Sequence, residues 1–219
     1  RSLSVHYPGR AREGDFEVEV RIERAGRSMT FASARMSQNG SLLTVASCAL
    51  ARSRPSEEFS HARMPEAVSP ESIQEAIVPE GMLPQFAANF DYRFATGSFP
   101  YSGVEEATIG GWIRLKEPRL VDALTIPTFA DGFPPAAFGR AKRPFPIPTI
   151  DLTVYFRTPL PLADADATDW SFASFSSKHG SGGFIEEDGL IWSRDGRLLA
   201  QSRQLAIYGT EMGEAPFGK

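Results

Sequence analysis

One feature restricts the fold of this 219-residue chain more than any other: the chain repeats itself. Moved forward by 156 positions, residues 26–50 set Gly26 on Gly182, Ser37 on Ser193, Gly40 on Gly196, Leu42 on Leu198 and Leu43 on Leu199. Asn39 falls on Asp195, so one hairpin-turn signal overlays another. Upstream, the stretch LSVHY (3–7) overlays LTVYF (152–156) at an offset of 149, the smaller offset marking a longer loop in the second copy. Matched turns between strands in the same order predict a duplicated unit.

Alternation of apolar and polar residues predicts strands near 2–8, 16–24, 28–38 and 42–51. Further strands are predicted near 83–95, 104–116, 149–158, 169–178, 183–193 and 197–208. Between them, Pro118 precedes a helix candidate over 119–138. Asp122 falls in its first turn, where the dipole favours a carboxylate, and Pro127 predicts a kink or an early end. Two strands, a long helix and four more strands predict an α+β hot-dog, an antiparallel sheet wrapped around the helix. Duplicated, this becomes a double hot-dog with both halves in one sheet. Residues 52–80, rich in Pro, Ser and Glu, read as a surface linker with one short helix after Pro70. The predicted organisation is therefore the C-terminal part of a first unit (1–51), a linker (52–80), a second unit (81–209) and a tail (210–219).

The second copy has residues 84–148, helix included, ahead of its matching strand, whereas the first has almost nothing there. A sheet without its helix leaves one apolar face bare. The first unit is thus expected to be incomplete at its N-terminus, the natural chain starting upstream of Arg1; the alternative is a helix supplied by a partner chain.

Charge and composition exclude several functions. The formal charge is −4, and Lys and Arg are scattered singly, which leaves no basic stripe for nucleic acid. No run of 18 apolar residues exists to span a membrane. Cys48 is the single cysteine; it rules out an internal disulfide, fits a reducing compartment with cytoplasm as the default, and is expected to be an inert core thiol. His6, His61 and His179 lack metal-ligand spacing. Sixteen Phe suggest a core with room for an apolar ligand.

Four segments carry a family likeness: SVHYPGRAREG, VRIERAGRSMTFASARMSQNG, TIDLTVYFR and WSRDGRLLAQSRQ. In order and spacing they resemble the thioesterase II (TesB-like) acyl-CoA thioesterases, over nearly the whole chain except the linker. The resemblance implies hydrolysis of acyl-CoA by a water held between an Asp, a Thr and a Gln. Matched residue by residue, these are Asp131, Thr149 and Gln204. Counted from the following proline, the family's Asp position falls on Ala130, one residue from Asp131. The resemblance also implies acyl-CoA as the partner and no metal or redox cofactor, since coenzyme A enters as part of the substrate. A homo-oligomer is expected.

The residues themselves are compatible with these roles. Gln204 shares its strand face with Ala200, Ser202 and Ala206, leaving room beside a long amide, while Gln201 and Arg203 point the other way. Phe129, Phe133 and Phe138 are expected to give Asp131 an apolar surrounding that tunes it as a base. Thr149 opens its strand after Pro148; Asp151 shares its face and reads as an anchoring carboxylate. Backbone N–H groups at the helix N-terminus are expected to hold the oxyanion. Two other readings stay open: a catalytically silent hot-dog that binds acyl-CoA or serves assembly, and a dehydratase using His6. The stretch HGSGG (179–183) reads as a β-turn, lacking the Lys of a phosphate loop.

Overall fold

Small, β-branched and aromatic residues in period-two alternation build most of the structure, as strands require. The computed structural model describes residues 1–75 and 84–209. The first four strands are β1 (Ser2–His6), β2 (Glu17–Ala25), β3 (Met29–Gln38) and β4 (Ser41–Ala51). After the linker come β5 (Phe90–Gly97), β6 (Ala107–Leu115), the helix α1 (Thr125–Ala130) and β7 (Thr149–Phe156). The chain then adds β8 (Ser171–Ser177), β9 (Gly180–Ser181), β10 (Phe184–Ser193) and β11 (Leu198–Ile207).

The strands form one antiparallel sheet of order β2-β3-β4-β1-β7-β11-β10-β8-β6-β5, with β9 paired to β10. At its centre β1 meets β7, where Ser4 stands opposite Thr153 and the Thr153 hydroxyl donates to Ser4 Oγ at 3.0 Å. Registers recur on either side of this junction. Leu3 faces Cys48 on β4 as Leu152 faces Gln204 on β11. Cys48 in turn faces Ala32 on β3 as Gln204 faces Glu187 on β10. The Asn39-Gly40 turn has positive φ at both residues (50° and 75°), the geometry the type I′ hairpin demands.

Directly opposed residues share a face, so one face can be followed across the whole sheet. Over β7, β11, β10, β8 and β6 it is covered by α1 and the turn of 3₁₀ helix at Ala136–Gly139. Ile126, Phe129, Ile113, Val154, Ile191 and Leu199 pack there, each at most 1% exposed. Over β2 the same face is open: Val18, Val20 and Ile22 are 52–64% exposed. Among the described residues no helix covers it.

Several expectations change. The helix has six residues rather than the long rod predicted over 119–138. Asp122 Oδ1 accepts the N–H groups of Leu124 and Thr125 at 2.8 Å each, which caps the helix. Pro127 lies in the first turn, where its missing N–H costs nothing, and Gly132, Pro134 and Pro135 prevent extension. The stretch before β5 forms 3₁₀ helix at Gln85–Asn89, so the strand begins at Phe90 and not near 83. The linker is not simply a surface strap: Met64, Ala67 and Ile73 pack on the Trp112, Trp170, Phe172 and Trp192 cluster behind the sheet. Trp112 Nε1 donates to Val68 O at 3.0 Å and Arg194 pairs with Glu71 at 2.8 Å, holding it there. The short helix after Pro70 is 3₁₀, Pro70–Ser72. Cys48 is half-buried rather than a core thiol. Residues 76–83 and the predicted tail 210–219 lie outside the described residues. No helix among the described residues is long and apolar enough to cross a membrane.

Candidate active site

A concavity of about 450 Å³ lies where the segment following α1 crosses the ends of β7, β10 and β11. Its walls are mostly apolar, with Phe86, Phe94, Phe99, Phe133 and Phe138 contributing rings. Four polar groups on its lining concern the chemistry: Asp131, Thr149, Glu187 and Gln204. The three residues expected from the sequence thus reach one cavity, joined by a fourth.

Asp131 is the first residue beyond α1. The next residue anchors it: the buried Tyr92 hydroxyl donates to Gly132 O at 2.7 Å. A side chain at position 132 would meet the backbone Thr128 O at 2.9 Å as well as Ile113 Cδ1 at 2.7 Å, so glycine lets the turn sit this low on the sheet. Ala130 is buried in the core at 1% exposure and Asp131 faces the cavity, so the carboxylate is present despite the one-residue offset. Burial raises the Asp131 carboxyl to about 6. Burial, and then the charge of Asp131, push the Tyr7 hydroxyl up to about 12. Of the three rings expected around Asp131, Phe133 and Phe138 line the cavity while Phe129 lies in the core beneath.

Thr149 reaches this face through an irregularity. Strict alternation on β7 would put it opposite to Leu152 and Val154, whose side chains are buried. A register shift between Leu205 and Ala206 on β11 leaves Thr149 facing Ala206, turning it towards the cavity. Asp151, beyond the shift, does not share its face and is absent from the cavity lining.

Gln204 is 7% exposed, and its neighbours Ala200, Ser202 and Ala206 are buried on the same face as expected. The Thr149 hydroxyl donates to Gln204 Oε1 at 3.1 Å. Gln204 Nε2 donates to Glu187 Oε1 at 2.8 Å, and the Ala136 N–H donates to Glu187 Oε2 at 2.5 Å. Burial drives the Glu187 carboxyl up to about 7 against the opposing pull of those two hydrogen bonds. Sequence reasoning missed Glu187. Its signal was the apolar register of β10, where Ile185, Glu187, Gly189 and Ile191 alternate and all are buried. A carboxylate in such a row is either paired or functional.

The helix N-terminus does not serve as an oxyanion site, because Asp122 already holds its N–H groups and the cavity lies at the other end of α1. Burial pushes Asp122 upward, but hydrogen bonds from Arg119, Thr125 and Leu124 outweigh it and hold the group near 2. His6 and His179 are exposed, and no histidine is among the described residues that line the cavity. Among the described residues, no cluster of three or more His, Cys, Asp or Glu side chains is arranged to hold a metal.

Comparisons with known proteins bear on the family and the fold. A family model for the acyl-CoA thioesterase C-terminal domain matches residues 61–208, and one for the N-terminal domain matches residues 1–52. Among solved structures, a hot-dog protein of unknown function from Alicyclobacillus acidocaldarius aligns at 28% identity and a TM-score of 0.83, over 99% of this chain and 79% of that one. A protein of Thermobifida fusca YX described as a "putative thioesterase II" aligns at 25% identity and 0.80, over 95% and 77% of the two chains. The acyl-CoA thioesterase II TesB2 of Mycobacterium marinum shares the fold at 17% identity and 0.71, over 95% and 80%. No curated protein matches the chain.

Proposed function

This chain belongs to the acyl-CoA thioesterase family, and from that premise we propose that it cleaves acyl-CoA to free acid and coenzyme A by direct attack of water. The observation that carries this reading is that Asp131, Thr149 and Gln204 all line one cavity, with Thr149 and Gln204 hydrogen-bonded to each other. Asp131 is the general base. An ordinary carboxylate is too weak to take a proton from water near neutrality, and burial moves this one towards the working pH.

The hydrogen-bond directions support one placement of the water. The proton of Thr149 is committed to Gln204 Oε1, so Thr149 Oγ1 is left to accept. One Gln204 Nε2 proton is committed to Glu187, leaving the other free to donate. A water that donates to Asp131 and Thr149 and accepts from Gln204 keeps one lone pair for the thioester carbonyl. As the C–O bond forms, the proton passes to Asp131. Collapse of the tetrahedral species breaks the C–S bond, and the departing coenzyme A thiolate takes the proton back. The acyl chain lies among Phe94, Phe99, Phe133 and Phe138. The absence of histidine from the cavity lining speaks against the dehydratase reading.

The same reading takes the chain as a double hot-dog made by duplication, with units 1–51 and 81–209 and a linker at 52–80. Its support is the recurrence of register on both sides of the β1/β7 junction, at the offsets of the sequence repeat. Cytoplasmic location and self-association belong to it as well, and light scattering of the purified protein tests the latter. The decisive test of function is release of free thiol from a panel of acyl-CoAs of increasing chain length. Hydrolysis that disappears in Asp131→Asn supports the proposal; acyl-CoA binding without hydrolysis would replace it with the silent-module reading.

A further inference from the structure

The scheme above leaves one buried carboxylate without a task. Glu187 is 7% exposed, and the charges acting on it are both negative, Asp131 and Glu186. We propose that Glu187 is a positioning residue whose carboxylate sets the orientation of the Gln204 amide, and through it the direction of the Thr149 hydroxyl.

The argument is one of donors and acceptors. An amide presents a carbonyl on one side and an NH₂ on the other, and either can face either way by a half-turn. A carboxylate only accepts, so the side of Gln204 that meets Glu187 has to be Nε2. Oε1 then faces Thr149, which has to donate to it. The result is a one-way chain that ends with Thr149 Oγ1 able to accept a proton from the nucleophilic water. The Ala136 N–H on Glu187 Oε2 anchors the far end, so both carboxylate oxygens are engaged and neither can rotate away. A purely structural residue here need not be charged: burying a carboxylate costs more than burying an apolar group of similar volume.

Among the described residues, no cation figures among the groups that shift Glu187. Gln204 of β11, Thr149 of β7 and Ser177 of β8 are neutral cavity-lining groups, and the segment after α1 contributes Asp131. On its own strand Glu186 is occupied with the Lys178 and His179 N–H groups. Once Glu187 is protonated it can donate to Gln204 Oε1. The amide then turns over, its NH₂ faces Thr149, and the Thr149 proton points at the water, which can no longer donate there.

This inference rests on the thioesterase reading, and the experiment separates the two. Glu187→Gln keeps the shape but offers a single acceptor; Ala136 takes it, the new NH₂ faces Gln204, and the chain inverts. The expected result is a kcat lower by roughly 10- to 100-fold, the span seen when a partner that orients a reacting group is lost, with KM changed less than twofold. Below the Asp131 titration, log kcat should fall with two protons in the wild type and with one in Glu187→Gln. Glu187→Asp, which keeps an acceptor-only group, should retain more kcat than Glu187→Gln although glutamine is the closer match in shape, which a merely structural role does not predict. Wild-type kcat and an unchanged acid slope in Glu187→Gln would overturn the proposal. Should that variant fail to fold, a one-proton acid limb in the wild type would do the same. If the wild type hydrolyses no acyl-CoA, the catalytic reading fails on its own. Positioning is then decided by the Gln204 side-chain amide resonances in ¹⁵N-glutamine-labelled protein: movement as pH falls through the Glu187 titration supports it, and static resonances refute it.

Discussion

Replacing Gln204 with alanine removes two hydrogen bonds from the cavity wall, the 3.1 Å bond from Thr149 and the 2.8 Å bond to Glu187, together with the free N–H proposed to hold the water. Two consequences differ in size. For folding, a Thr hydroxyl and a carboxylate oxygen lose a partner, but the cavity admits water, so the cost is roughly 1–3 kcal/mol rather than two full desolvation penalties. At roughly 2–4 °C per kcal/mol for a chain of this length, Tm should drop by about 2–12 °C. For catalysis, losing one positioned donor costs roughly 10²–10³ in kcat, about 2.7–4 kcal/mol of barrier. The control is Gln201→Ala on the same strand, whose side chain points to the exposed face and accepts from Arg157 Nε at 2.5 Å. Its kcat should stay within twofold of wild type. The assay is thiol release at saturating acyl-CoA, well below either Tm, so that kcat is read apart from KM. Equal kcat in the two variants would remove Gln204 from the site and with it the proposed placement of the water.

Asp131→Asn should lower kcat at least as much as Gln204→Ala, because an amide cannot take the proton, while KM for acyl-CoA stays close to wild type. Because Asp131 and Glu187 both work unprotonated, kcat/KM should rise with pH through about 6 and about 7, the values to which burial raises them, and level off above that range. Stability should run the other way: the folded carboxyls of Asp131 and Glu187, raised to about 6 and about 7, bind protons that the unfolded chain has already released. Their contribution is fully present below pH about 4 and lost as pH rises through 7, so Tm should fall between pH 5 and 8, and Glu187→Gln should flatten that slope.

What the sequence made legible was whatever depends on local periodicity. The hairpins at Asn39-Gly40 and Asp195-Gly196 and the face of Gln204 follow from alternation and turn chemistry, and all appear where expected. The helix was overestimated because apolar residues over 119–138 look helical in composition. Proline and glycine limits, together with a cap from Asp122, decided its length. Thr149 reaches the cavity only through a register shift, which no alternation rule foresees, and the same shift removes Asp151. Glu187 was visible as a charge in an apolar register, yet its partners, Ala136 and Gln204, lie 51 and 17 residues away in sequence and meet only in the fold.

The central claim is that water attacks the thioester directly with Asp131 as base. A single turnover in H₂¹⁸O, with enzyme in excess over acyl-CoA, tests it most directly. The account predicts one ¹⁸O in the released acid and none in the peptide carrying Asp131. Unlabelled acid with ¹⁸O on Asp131 or Glu187 would reveal an acyl-carboxylate intermediate and contradict it, as would a wild-type protein that releases no coenzyme A from any acyl chain.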